Sequence, residues 1–148
     1  MLDLDALDPA GLAEARALCS TGRAAELFDR ARGGSAECRG RVAVDDSGAV
    51  SGVALSGAVA GALGTAALLW VAVRHERRRR GVGRALVADA LGEMARGGAR
   101  LAVAEMPDGP DAVGAAAMLA GAGFEREGFV ADFYRDGVGL TLWRRPLR

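Results

Sequence analysis

The chain has 148 residues, 51% of them hydrophobic, and its 19 basic and 19 acidic side chains leave a net charge of zero. This length predicts one domain covering residues 1–148, large enough to bury a core without disulfide or metal staples. Zero net charge argues against a whole-domain polyanion binder, and the absence of Lys, Asn and Gln removes Schiff-base chemistry, a Walker-type phosphate loop and a carboxamide oxyanion donor.

Residues 2–5 read as a short strand, and the acids among residues 1–7 are unlike the basic start of a signal peptide. Asp8-Pro9 is a helix start, with Asp8 as N-cap and Pro9 in the first turn. Leu12, Ala15 and Leu18 then recur at helical spacing until Ser20-Thr21-Gly22 interrupts them. Residues 24–32 predict a second helix, stopped by Gly33-Gly34. Cys19 and Cys38 lack CxxC spacing and fit a reducing, cytoplasmic compartment better than a disulfide framework. Residues 41–44 and 50–55 predict a hairpin about the turn Asp45-Asp46-Ser47-Gly48.

Residues 49–73 carry no charge and precede the basic run Arg74-His75-Glu76-Arg77-Arg78-Arg79-Arg80. Length alone would suggest a membrane span with a basic flank. Glycines at 52, 57, 61 and 64 and abundant Ala argue against it, because neither residue drives insertion. Two strands with a Gly-rich connection are expected instead, the second being Thr65–Val73. Its unbroken apolar run predicts burial on both faces.

Gly81-Val82-Gly83 opens a helix to about Arg96, with Val82, Leu86, Ala90, Leu91 and Met94 as its apolar stripe. Residues 101–105 predict a strand. Asp111 is placed to cap a helix through about Ala120, and residues 124–134 and 138–145 complete the chain as a strand pair. The expected order is βααββ–β–α–β–α–ββ, a mixed α/β sheet. With 32 Ala, 22 Gly and every one of the 19 basic residues an Arg, the composition suits a GC-rich, bacterial genome.

The informative segment is an apolar strand, a basic turn, Gly-x-Gly and a helix. A helix start offers unpaired N–H groups and about half a positive charge, suited to a phosphate. Gly81 and Gly83 would let that backbone approach an anion, and the Arg side chains add fork-shaped donors. Arg78-Arg79-Arg80-Gly81-Val82-Gly83 resembles the acyl-CoA-binding signature of the GCN5-related N-acetyltransferase (GNAT) superfamily, Gln/Arg-x-x-Gly-x-Gly/Ala. Val50-Ser51-Gly52 resembles that family's third strand, Ala122-Gly123-Phe124 the end of its fourth helix, and Asp132-Phe133-Tyr134-Arg135-Asp136-Gly137 its C-terminal arm.

The resemblance implies a mostly antiparallel sheet whose fourth and fifth strands splay apart, with flanking helices. It implies transfer of acetyl from acetyl-CoA, or another acyl group from its CoA ester, to a primary amine by direct attack, without a metal. The backbone of Val71, Ala72 and Val73 would meet the pantetheine arm. Arg78, Arg79, Arg80, Gly81, Val82, Gly83 and Arg84 would hold the pyrophosphate. Partners would be a small-molecule or peptide amine, not nucleic acid or membrane; a homodimer is compatible with this reading.

Glu105 at the end of the fifth strand stands where many family members carry a catalytic or water-relaying Glu. Its apolar neighbours predict desolvation, which would favour the protonated form. The family's usual acid, a Tyr four residues before the Gly of Gly-Phe, falls on Leu119, and the usual Asn falls on Ala112. Tyr134, the only Tyr of the chain, is the remaining candidate to protonate the thiol. The departure at Leu119 keeps a second reading open, an impaired or divergent acyl-CoA binder. A polyanion patch at Arg77, Arg78, Arg79 and Arg80 is a third. His75 is expected in an exposed turn.

Overall fold

A computed structural model describes residues 1–35 and 37–148. Strand β1 (Leu2–Asp3) is shorter than expected and gives way to a 3₁₀ turn over Leu4–Ala6. Helix α1 (Pro9–Ala17) starts as predicted, with Asp8 Oδ1 accepting the Gly11 N–H at 2.7 Å. Helix α2 (Gly22–Arg32) follows, then strands β2 (Arg39–Val44), β3 (Val50–Ala58) and β4 (Thr65–Val73). Helix α3 (Val82–Arg96) crosses to β5 (Leu101–Pro107), and helix α4 (Val113–Gly121) leads to β6 (Glu125–Arg135) and β7 (Val138–Pro146). The order of elements is the expected one.

All seven strands form one sheet, β1-β2-β3-β4-β5-β7-β6, in which only β4 and β5 pair in parallel. Side-chain alternation along the strands builds a core on each face. On one face Val42, Val53 and Leu55 pack with Leu27 and Phe28 of α2 and Ala15 of α1. On the other, Ala102 and Ala104 pack with Leu86, Val87, Ala90 and Leu91 of α3 and Leu119 of α4. Val87 joins the predicted α3 stripe, while Val82 is only half-buried. Gly52 lets α3 lie close on the sheet: a Cβ there would come within 2.8 Å of Leu86 Cδ1 and 2.9 Å of the Ala72 carbonyl. Arg41 ties β2 to α3 through Asp89 and also reaches Asp3, both at 2.5 Å.

Two expectations are corrected. β4 is not buried on both faces: only Ala66 and Leu68 are buried, and residues 69–73 are half-exposed. Over residues 69–73 the reason is pairing, because β5 accompanies β4 only from Thr65 to Leu68. Asp111 does not cap α4. Pro110 opens a 3₁₀ turn through Ala112, so Asp111 lies inside that turn and Ala112 takes the cap position without a side-chain bond. Among the described residues, no helix is long and apolar enough to cross a membrane.

Cys19 and Cys38 are buried free thiols. Burial pushes the Cys19 thiol up to about 11, opposed by the nearby Arg16 charge. In the fold this thiol stays neutral, whereas in the unfolded chain it ionises above its ordinary value of 9.0. Its contribution is therefore complete below pH 9.0 and is lost as pH climbs toward about 11. Urea midpoints measured from pH 7.5 to 10.5 are expected to hold up to about pH 9 and then decline.

Candidate active site

Parallel pairing ends at Leu68 and Ala104. Beyond it β4 keeps β3 on one side and has no strand on the other. The register against β3 also slips between Leu55 and Ser56, leaving Leu69 as a bulge residue where the gap begins. The Arg74 N–H donates to the Ser51 carbonyl at 2.8 Å. By antiparallel alternation Ala72 and Trp70 also face β3, so Val71 and Val73 turn their N–H and C=O into the gap. The polar groups of Ala72 are directed to β3. The Val73 carbonyl already accepts from Arg78 Nε at 3.2 Å.

The gap holds a cavity of about 480 Å³. On the α3/α4 face its wall includes Leu68, Val71, Ala104, Met106, Met118 and Leu119. Glu105 and Trp70 line it too, and strand alternation puts both toward α1 and α2. Trp70 is fixed there by its Nε1–H, which donates to the Leu18 carbonyl at 3.3 Å. The gap therefore opens to both faces of the sheet.

At the far end of β4, Arg79 (φ 59°) and Gly81 (φ 83°) both adopt left-handed backbone. These turns swing the chain into α3, whose first intrahelical bond runs from the Ala85 N–H to the Gly81 carbonyl at 2.9 Å. The N–H groups of Val82, Gly83 and Arg84 have no helical partner, and no side chain caps them. Space around Gly81 is open, as an approaching anion requires. Gly83 also lets α4 and β4 come close: a Cβ there would sit 3.0 Å from Met118 Sδ and 3.5 Å from Val73 Cγ2. Arg78, Arg79, Arg80 and Arg84 are exposed. Arg77 instead binds Asp45 at 2.5 Å and Arg74 binds Glu14 at 3.0 Å, which pins this loop to the β2–β3 turn and to α1. Asp45 is held below its ordinary range by bonds from Ser47 and Ala49 and by the Arg77 charge. His75 is an exposed turn residue.

Glu105 is exposed, which corrects the expected desolvation. Its neighbours Ala104 and Met106 are apolar, but they point to the opposite face of β5. Tyr134 lies within electrostatic reach of Glu105. Partial burial and the Glu105 carboxylate both hold its phenol above the usual value of 10.0, against the opposing pull of Arg23. Glu105 lines the cavity, whereas Tyr134 and Arg23 are exposed and lie outside its lining. Leu119 is 4% exposed and belongs to the other face, in the α3/α4 core.

A wide bulge presents Tyr134. Val130 pairs with Leu140 and Arg135 with Val138, so four residues of β6 face one of β7. Asp132 takes left-handed backbone (φ 54°) inside the bulge, and its Oδ1 accepts the Gly137 N–H at 2.7 Å. Phe133 and Tyr134 project from it in an edge-to-face pair, centroids 5.0 Å apart. The sequence gives few signs of either bulge. The Asp132-to-Gly137 spacing is a local one, of a polar residue that tolerates positive φ before a turn Gly.

Among the described residues, no group of His, Cys, Asp and Glu could hold a metal ion. The profile of the family described as "Acetyltransferase (GNAT) family" matches residues 12–124. No curated protein matches the chain significantly. Among solved structures, a protein assigned to the GNAT acetyltransferases of Desulfovibrio desulfuricans is 28% identical, with 95% of each chain covered and a TM-score of 0.85. An aminoglycoside 6'-N-acetyltransferase complexed with coenzyme A is similar in fold at 15% identity, covering 99% of this chain and 96% of that one, TM-score 0.83. The ribosomal-protein-S18-alanine N-acetyltransferase from Escherichia coli shares the fold at 18% identity, 95% and 90% coverage and TM-score 0.76. A mixed sheet with one parallel pair, a family profile over most of its length and this structural likeness lead to one assignment: the chain belongs to the GNAT acetyltransferase family.

Proposed function

We propose that the chain is a single-domain acyl-CoA-dependent N-acyltransferase, moving an acetyl or related acyl group to a primary amine by direct attack. The observation that carries this reading is the parted β4 edge running from the bulge at Leu69 to the uncapped start of α3. The N–H groups of Val82, Gly83 and Arg84 suit a pyrophosphate, with Arg79 and Arg80 supplying charge. Backbone groups of Val71 and Val73 suit the amides of a pantetheine arm, and Arg78 braces the Val73 carbonyl.

The bound thioester would supply the activated acyl group. Glu105, reached from the α1/α2 face, would take the proton of the incoming amine directly or through one water. Tyr134 keeps its phenolic proton at neutral pH and would offer it to the departing sulfur. Acid or base assistance of this kind contributes about 10²–10⁴-fold each. A thiolate is itself a tolerable leaving group, since a thiol ionises near about 8.5.

The acceptor is an amine delivered from the α1/α2 face. Structural neighbours are named for an aminoglycoside and for a ribosomal protein alanine, so a small polyamine and a protein N-terminus are the two classes to test. Two buried free thiols fit a reducing cytoplasm. A second reading, a CoA binder without turnover, is favoured by buried Leu119 and by Ala112, which leave α4 without a polar side chain toward the gap.

Isothermal titration with acetyl-CoA, CoA and desulfo-CoA tests the cofactor assignment. Micromolar binding of all three is expected, and no heat with any of them at high micromolar concentration would overturn it. A mass-spectrometric screen of amines then separates the two readings: acetylated product supports transfer, and CoA binding without product across a broad panel supports the binder.

A further inference from the structure

We propose that the acyl end of the gap accepts chains longer than acetyl, up to about butyryl, and that Leu119 sets the limit. This rests on the acyl-CoA reading above. A ligand running along β4 from the start of α3 travels toward the apex at Leu68 and Ala104, where the two strands pair and the gap closes. An acyl group there must turn out of the sheet. One exit, on the α1/α2 face, holds Glu105 and belongs to the amine. The other meets a floor of Leu68, Ala104, Met106 and Leu119, all buried and all apolar.

The polar side chains that line the cavity, Glu105, Asp108, Asp111 and Arg135, are not among these four residues. Glu105 projects to the opposite face of β5, and Asp108 is occupied with the Gly139 N–H at 2.8 Å. Such a floor offers nothing to a carbonyl oxygen and gains from every methylene laid against it. Two small side chains leave it shallow rather than filled: Ala104 on β5 and Ala115 one turn before Leu119 on α4. Leu119 closes it, since its packing in the α3/α4 core leaves it no route to swing away.

Titration of the chain with CoA, acetyl-CoA, butyryl-CoA and octanoyl-CoA tests the proposal and needs no acceptor. Full burial of one methylene is worth about fourfold in affinity. Butyryl-CoA is expected to bind about tenfold more tightly than acetyl-CoA, and octanoyl-CoA no more tightly than butyryl-CoA. In Leu119→Phe the butyryl advantage should fall below about twofold with CoA affinity unchanged. Leu119→Ala should extend the gain to octanoyl-CoA, which guards against a Phe variant that fails to fold. CoA binding with equal affinity for acetyl and butyryl esters would overturn this proposal alone. A butyryl advantage that survives in Leu119→Phe would remove Leu119 as its cause. No binding of CoA itself would overturn the acyl-CoA reading along with it.

Discussion

Replacing Glu105 by Gln is expected to lower kcat about 100-fold or more while leaving acetyl-CoA affinity and thermal stability unchanged. The substitution keeps size and shape and removes the charge and the basicity. The carboxylate is exposed and has no hydrogen-bond partner among the described residues, so no fold contact is lost. It stands on the face from which an amine would come, across the gap from the Leu119 core. An amine in water is mostly protonated at neutral pH, and attack requires the free base. A carboxylate poised at the gap supplies the proton acceptor, and a Gln amide does not. The effect should appear in kcat with any acceptor that the amine screen yields. It should be confirmed by titration showing unaltered acetyl-CoA binding. A Gln variant with full activity would make Glu105 an ordinary strand-end carboxylate. Transfer would then rest on solvent as base.

Gly81→Asp is expected to weaken CoA binding about 100-fold or more and to lower the melting temperature only by a few degrees. Two like unit charges 4 Å apart repel by about 4 kcal/mol at an effective dielectric near 20, and solvent screening at this open site lowers that to roughly the stated loss. The cost to the fold should be small, because the strain of a side chain on left-handed backbone is the main loss. Nothing lies within 4 Å of a Cβ at this position, and Asp is one of the few residues that tolerate its left-handed backbone. A negative charge at the start of α3 also complements the helix dipole, worth about 0.3–1 kcal/mol. Stability and affinity thus move independently, which separates loss of a binding site from loss of structure. Titration calorimetry and a thermal melt measure the two. An Asp variant that binds CoA normally would show that the start of α3 is not the anion site.

Much of the fold was legible because one-dimensional signals were strong. The bounds of β4 follow from its unbroken apolar run, α1 from Asp8-Pro9, and the basic turn into α3 from Gly81. What stayed illegible depends on which strand neighbours which. Nothing in residues 69–73 says that β5 leaves them after Leu68, so their apolar character read as double burial. The exposure of Glu105 follows from the same parting. The bulges at Leu69 and across residues 131–134 are slips of register, which hydrophobic alternation over a few residues does not resolve. That a side chain at Gly83 would meet Met118 is equally illegible, because that neighbour belongs to a helix distant in sequence.

The open edge of β4 has an evolutionary consequence. A groove made from side chains is only as durable as the codons that specify them. A groove made by leaving a strand unpaired presents peptide N–H and C=O groups, which every residue except Pro carries in full. Whatever pressure emptied this chain of Lys, Asn and Gln could not erase that surface, because Val71 and Val73 contribute it through atoms common to almost any replacement. Drift in composition would therefore fall first on the specificity of such a protein, through positions such as Leu119, and last on its grip upon a shared carrier.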